Sequence, residues 1–290
     1  MKRHAFVLGI ILIMGYTTLT QAQSLTAPGA QVQKLHSNFS FTEGPATDSA
    51  GNVFFTDIPN NRILVSLTSG YLTSFTEDSQ GANGLYFDAR GNLLACQGGG
   101  RKLVSYSSQG VETVLVDTYQ GKRFNSLNDL WIDSRGGIYF TDPRYGNREG
   151  MKQDGEHVYY LAGPKEKPVR VINDMVRPNG LIGTPNGKTL YVTDHGGKKT
   201  FSYAISSNGS LTQKTLFAPE GSDGMTMDEK GNVYLTTNAI AIYSPLGKKI
   251  QEIPIPERPA NVTFGGKDKK TLYITARTSL YAIEMSVKGN

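Results

Sequence analysis

Six residues able to offer a side-chain oxygen recur at one phase of this chain: Glu43, Asn83, Asn128, Asn179, Asp223 and Asn261. Each stands a fixed distance ahead of a short apolar segment, such as Phe54-Phe55-Thr56-Asp57, Tyr139-Phe140-Thr141-Asp142 or Tyr191-Val192-Thr193-Asp194. Counting fourteen residues back from positions 57, 97, 142 and 237 reaches Glu43, Asn83, Asn128 and Asp223. The fourth and sixth copies carry one more residue in the intervening turn and give Asn179 and Asn261. Two carboxylates and four amides gathered at one centre would be costly to bury alone. Their oxygens suit a hard divalent cation, Ca²⁺ ahead of metals that prefer Cys or His, with Zn²⁺, Mg²⁺ and Mn²⁺ as other occupants. Asn-Gly and Asp-Gly pairs also mark turns. Six in phase, one of them a Glu, point instead to a shared centre.

The elements that must position them are strands. The recurring segments end at 57, 97, 142, 194, 237 and 276, intervals of 40, 45, 52, 43 and 39 residues. Repeats of about 40–50 residues made of short strands are the mark of propeller blades. The first unit reads as strands over 44–46, 53–56, 62–67 and 71–76, and the fifth over 224–227, 233–236, 240–243 and 250–253. Val, Ile, Tyr, Phe and Thr fill these runs while Gly, Asn and Asp fill the gaps. No segment keeps a helical period. The sixth unit runs through 262–264, 272–275 and 280–284 and then the chain ends, so the extended segment 31–36 is expected to add its fourth strand. The expected fold is all-β: a six-bladed β-propeller of four-stranded blades, its ring closed by an N-terminal strand. The six polar residues would then begin the innermost strands and meet on the axis.

At these residues the chain resembles the senescence marker protein/gluconolactonase family, the regucalcin-like propellers. The resemblance rests on Phe41-Thr42-Glu43-Gly44-Pro45, Arg123-Phe124-Asn125-Ser126-Leu127-Asn128-Asp129, Tyr139-Phe140-Thr141-Asp142-Pro143, Arg177-Pro178-Asn179-Gly180 and Ser222-Asp223-Gly224-Met225. It also includes Phe264-Gly265-Gly266 through Tyr273-Ile274-Thr275-Ala276, and so spans essentially all of residues 23–290. It implies a metal of the Ca²⁺ type in the central tunnel and hydrolysis of sugar lactones. Carried over by position, Glu43, Asn179 and Asp223 are metal ligands, Asn128 is a ligand or substrate contact, and Asp223 is also the proton acceptor. Asn83 and Asn261 share the phase and are assigned a place one layer back from the ion, or a link to it through water. The substrate-gripping Arg of the animal proteins falls near Ser126 here, with Arg123 and Arg144 close in sequence; these two and Tyr145 are the candidates for holding substrate. His195 follows the fourth repeat and reads as a surface turn ahead of a rim residue.

Other features bound the function. Met1-Lys2-Arg3-His4, an apolar run from Ala5 to Met14 and the ending Thr20-Gln21-Ala22 read as a secretory signal peptide cut after Ala22. That run is shorter than the ~20 residues a membrane span needs. Residues 23–290 are then one catalytic domain, exported to the periplasm or the medium. The formal charge of +5 includes Lys2 and Arg3, and the other basic residues are scattered among acids, as in Lys267-Asp268-Lys269-Lys270, which argues against a nucleic-acid partner. No obligate protein partner is evident. Cys96 is the only cysteine and reads as a small core residue. Two other functions compete with lactone hydrolysis: phosphotriesterase chemistry on the same metal, as in relatives such as diisopropyl fluorophosphatase, and a non-catalytic binding propeller.

Overall fold

The structure, a computed structural model, describes Met1 and residues 24–290. The expected signal peptide and its cleavage point lie, Met1 apart, outside the described residues. Six four-stranded antiparallel sheets follow one another along the chain, five with their strands in consecutive order and the sixth completed by the first strand of the chain. The first blade comprises Thr42–Thr47, Val53–Asp57, Arg62–Ser66 and Leu72–Thr76. The next three begin at Ala82–Phe87, Leu130–Ile132 and Pro178–Gly183, the fifth at Met225–Met227, and the sixth at Pro259–Gly265. These first strands touch one another around the ring, so they are the innermost ones. A single 3-10 turn, Ile58–Asn60, is the one helical element among the described residues.

Alternation of burial explains the layering. The inner strands and their immediate partners are almost wholly buried, while outer strands such as Leu72–Thr76 and Lys249–Ile253 lie largely exposed. Aromatic side chains fill the wedges between blades: Phe54 meets Phe87 edge-on at 5.0 Å, and Tyr234 meets Phe264 at 5.2 Å. Contacts of this kind are worth ~0.5–1.5 kcal/mol beyond the area they bury. Cys96 is buried among them, as expected.

Four of the six turns that return the inner strand to its partner share one device. The carboxylate of Asp48 accepts the N–H groups of Ala50 and Asn52, and Asp88, Asp133 and Asp228 repeat the pattern. The turn needs a left-handed residue three positions on, supplied by Gly51, Gly91, Gly136 and Gly231 with φ between 79 and 86°.

Closure is by the N-terminal segment. Gln33–His36 pairs antiparallel with Ser279–Glu284, Gln33 opposite Ala282 and Lys34 opposite Tyr281. The strand is two residues shorter than the segment 31–36 expected from sequence. Glu257 fastens the seam: it pairs with Lys34 at 3.1 Å and accepts hydrogen bonds from the Ser279 and Tyr281 hydroxyls at 2.6 and 2.8 Å. Burial alone would raise its carboxyl, but these partners and the Thr278 amide hold it down at about 2.

Candidate functional site

Every inner strand breaks register at the recurrent polar residue. In the first blade Glu43 lies opposite Thr56 but Ala46 opposite Phe54, so three steps on one strand match two on the other. The same slip falls between Ala82 and Leu85, between Pro178 and Leu181, and between Pro259 and Asn261. In the third blade Asn128 donates its N–H to the Thr141 carbonyl at 2.9 Å while the Asp129 carbonyl accepts the Thr141 N–H at 3.0 Å. Asp223 and Gly224 straddle Thr236 in the same way. A bulge bends the strand and re-aims the side chain it carries. Six bulges at one level turn six side-chain positions toward the tunnel.

Neighbouring inner strands are also tied to each other around the axis. The Gly84 N–H donates to the Asn128 carbonyl at 2.7 Å, Gly180 to Asp223 at 2.8 Å, and Gly224 to Ala260 at 2.7 Å. This approach explains the residue after the polar one. A Cβ on Gly84 would stand 2.7 Å from the Asn128 carbonyl oxygen, and one on Gly180 2.5 Å from that of Asp223. Neither neighbour can move, because both are backbone.

Three of the six approaches are clamped by a buried aspartate at the end of the second strand. Asp57 accepts the N–H groups of Ser40 and Phe41 at 3.0 and 3.1 Å, just ahead of Glu43. Asp142 accepts those of Asn125 and Ser126 at 2.9 and 2.8 Å, ahead of Asn128. Asp194 takes Val176 and Arg177 at 3.0 and 2.9 Å, ahead of Asn179. Burial pushes the Asp142 carboxyl up to about 7 against these two bonds. In the other blades Gln97, Thr237 and Ala276 hold this position and provide no such clamp. The repeat-ending Asp thus appears where Glu43, Asn128 and Asn179 must be held.

A cavity of about 450 Å³ opens over the hub, lined by Glu43, Asn83, Asn128, Tyr145 and Asp223. Asn179 lies under its wall, 2% exposed, and donates through Nδ2 to Asp223 Oδ1 at 2.7 Å and to the Tyr145 hydroxyl at 2.6 Å. Its amide oxygen accepts no hydrogen bond among the described residues. The Tyr145 hydroxyl also bonds His195 Nδ1 at 2.7 Å. His195 therefore stands at the rim, where it and Asp223 line a second opening of about 330 Å³. Asn261 reaches both Glu43, which its side chain holds down, and Asp129, whose Oδ2 its Nδ2 faces at 3.4 Å, and it and Asp129 border a gap of about 40 Å³ deeper in the tunnel. Arg123 and Arg144 sit one step outside the lining, donating to the carbonyls of Gly100 and Asn125 at 2.7 and 3.0 Å.

The electrostatics fit a cation. Burial, then the neighbouring Asp223 and Asp129 charges, raise Glu43 well above the usual carboxylate range against the Gly44 amide. Burial lifts Asp129 to about 7, with Asp223 adding to the shift, and Asp223 itself is raised by burial against His195 and Asn179. Among the described residues no Lys or Arg forms an ion pair with any of the three. Nor do three or more His, Cys, Asp or Glu gather there as a metal cluster of acids and imidazoles alone, so a cation would lean on amide oxygens too. Asp129 was not foreseen. Its signal was present: in the third repeat an Asp replaces the Gly that follows the polar residue in four others, and the bulge turns it to the tunnel.

The SMP-30/gluconolactonase/LRE-like region matches residues 41–278. The chain belongs to this family. A gluconolactonase of Zymomonas mobilis is 28% identical, the alignment covering 89% of this chain and 82% of that protein. The solved gluconolactonase of Xanthomonas campestris superposes with a TM-score of 0.83 at 27% identity, over 90% of this chain and 91% of the other. A calcium-binding regucalcin of Agrobacterium tumefaciens has a TM-score of 0.74 at 20% identity, over 89% and 94%, and shares the fold. The family match starts two residues before Glu43 and extends well beyond Asn261, so all six ring residues fall inside it.

Proposed function

We propose that this protein is a divalent-cation-dependent lactonase acting on sugar lactones at the hub. The observation that carries the reading is the set of carboxylates raised by burial, Glu43 and Asp223 with Asp129 behind them, beside amide oxygens and, among the described residues, in no ion pair with a Lys or Arg. The Zymomonas and Xanthomonas gluconolactonases support the reaction class. Glu43, Asn179 and Asp223 would hold the ion, with Asn128 as a further ligand or as a contact to substrate, and Ca²⁺ suits this oxygen set best. Bound there, a cation supplies Lewis-acid polarisation of an ester carbonyl and charge stabilisation of its oxyanion.

The remaining work belongs to side chains. Asn179 occupies Asp223 Oδ1, which leaves Oδ2 to take the proton of an attacking water. Burial keeps Asp223 more basic than a surface carboxylate, so its Oδ2 is suited to hold the proton of a water beside the ester carbonyl. The Tyr145 hydroxyl, pinned between Asn179 and His195, fixes the amide and narrows the mouth around a lactone ring. Asn83 completes the polar floor. The test is a panel of five- and six-membered aldonolactones, with an organophosphate triester in parallel, assayed with calcium and after chelation. Chelator-sensitive opening of lactones is the expected result. No turnover of any lactone in calcium-loaded protein would rule the reading out, and triester turnover alone would favour the phosphorus chemistry.

A further inference from the structure

The third blade departs from the others in one connection. Between its second and third strands, Ile138–Asp142 and His157–Leu161, the chain takes the fourteen residues 143–156. The matching connections of the other blades are as short as 58–61, 98–101, 195–198, 237–239 and 277–278. A loop of this length without strands of its own is usually functional. This one carries Tyr145 to the wall of the hub cavity. On its own side it is fastened by Gln153, whose Nε2 donates to the carbonyls of Lys122 and Arg123 at 3.0 and 3.1 Å. Toward the fourth blade it is held through its last residue, Glu156.

Glu156 is 4% exposed and stands between two arginines: Arg148 of the loop, and Arg177 of the segment leading to Asn179, whose Nε is 3.4 Å away. Neither carboxylate oxygen takes a hydrogen bond among the described residues. A buried ion pair of this kind adds little stability over apolar side chains of the same shape, and its best-attested use is to fix one arrangement. What it arranges is visible one step on. The Arg177 guanidinium lies over the Tyr145 ring, 5.0 Å from its centre. The Tyr145 hydroxyl accepts from Asn179 Nδ2 at 2.6 Å, and the same nitrogen donates to Asp223 Oδ1 at 2.7 Å. With both amide protons placed, the Asn179 side chain cannot rotate end for end.

We infer that Glu156 and Arg177 are positioning residues of the site: they hold Tyr145 against Asn179 and so set the amide that orients Asp223. The inference rests on the lactonase reading and deepens it, because neither residue lines the cavity. Arg148 meets the other oxygen of the same acid and, among the described residues, lies over no ring, which supplies an internal control.

The experiment measures kcat on an aldonolactone that wild type opens, and the calcium dissociation constant by titration calorimetry. The proteins are wild type, E156Q, R177Q, R148Q, Y145F and the doubles E156Q/Y145F and R177Q/Y145F. E156Q and R177Q should each lower kcat and weaken calcium binding by about 10–100-fold. Y145F removes the hydroxyl through which they act, so each double should be no worse than Y145F alone. R148Q should stay within about twofold of wild type in both readouts. Arg177 is 33% exposed, so R177Q carries the test should E156Q fail to fold. Losses that add in the doubles, a loss in R148Q equal to that in R177Q, or wild-type kcat in R177Q overturns the inference and leaves the lactonase reading standing. No opening of any aldonolactone by the calcium-loaded wild type overturns both.

Discussion

The tunnel has a mouth at each end, about 450 Å³ over the hub and about 430 Å³ on the turn side, and the two differ in what their polar atoms are doing. On the turn side the walls are Tyr86, Phe87, Trp131, Ile182 and Phe264, and the acid present, Asp48, is committed to the amides of Ala50 and Asn52. On the hub side burial raises both Glu43 and Asp223, the Asp223 charge raises Glu43 further, and the Asn179 amide oxygen has no hydrogen-bond donor among the described residues. Asp129 and Asn261 lie between the two spaces, around a gap of about 40 Å³. Size and position on the axis therefore do not mark a reaction site. Polar groups that the fold leaves unsatisfied do.

The contrast can be broken most severely at Asp223. Asp223→Asn keeps the shape, removes the proton acceptor and relieves the crowding on Glu43. Lactone turnover should fall by about 10²–10⁴-fold, while the thermal midpoint of the cation-free protein stays level or rises. Wild-type turnover in this variant would remove Asp223 from the chemistry. A smaller effect is expected one layer back, at Asp142. Asp142→Ala leaves the Asn125 and Ser126 amides without acceptors and should cost about 1–3 kcal/mol in urea unfolding, together with a fall in kcat as Asn128 loses its support. Asp142→Asn, which retains one acceptor oxygen, should recover part of both. Equal loss in the two variants would count against the clamp. The smallest effect belongs to the turn-side mouth. Lys267→Ala there should change stability by no more than about 0.5 kcal/mol and leave kcat/KM for every lactone at the wild-type value; a measurable drop would mean that substrate or water travels the whole tunnel.

Much of this was legible before any coordinates. Strand composition and the repeat length gave six blades, because a propeller uses the same alternation and the same turn chemistry in each. The phase of Glu43, Asn83, Asn128, Asn179, Asp223 and Asn261 was readable too, since a bulge at one level needs one residue type at one spacing. Depth along the axis was not. Asn261 and Asn128 share a phase, yet the first faces the gap around Asp129 and the second the cavity. That depends on how far each strand is bent, which spacing does not encode. His195 was read as a surface turn because its partner, Tyr145, lies 50 residues away in sequence. Asp57, Asp142 and Asp194 stood out as repeat endings, but only the fold shows that their carboxylates hold the loops one turn ahead of the ring.

The seam between Gln33–His36 and Ser279–Glu284 has a consequence for how the molecule comes into being. A growing polypeptide can complete its early sheets in order, but the circle stays open until its last segment meets its first, a pairing of high contact order that forms slowly. Until that moment the oxygens of Glu43 and Asp223 have no fixed distance between them. A half-made chain would therefore lack the assembled ring, and a protease that frees the strand around Lys34 would loosen the hub from the outer edge of the sixth blade without touching it.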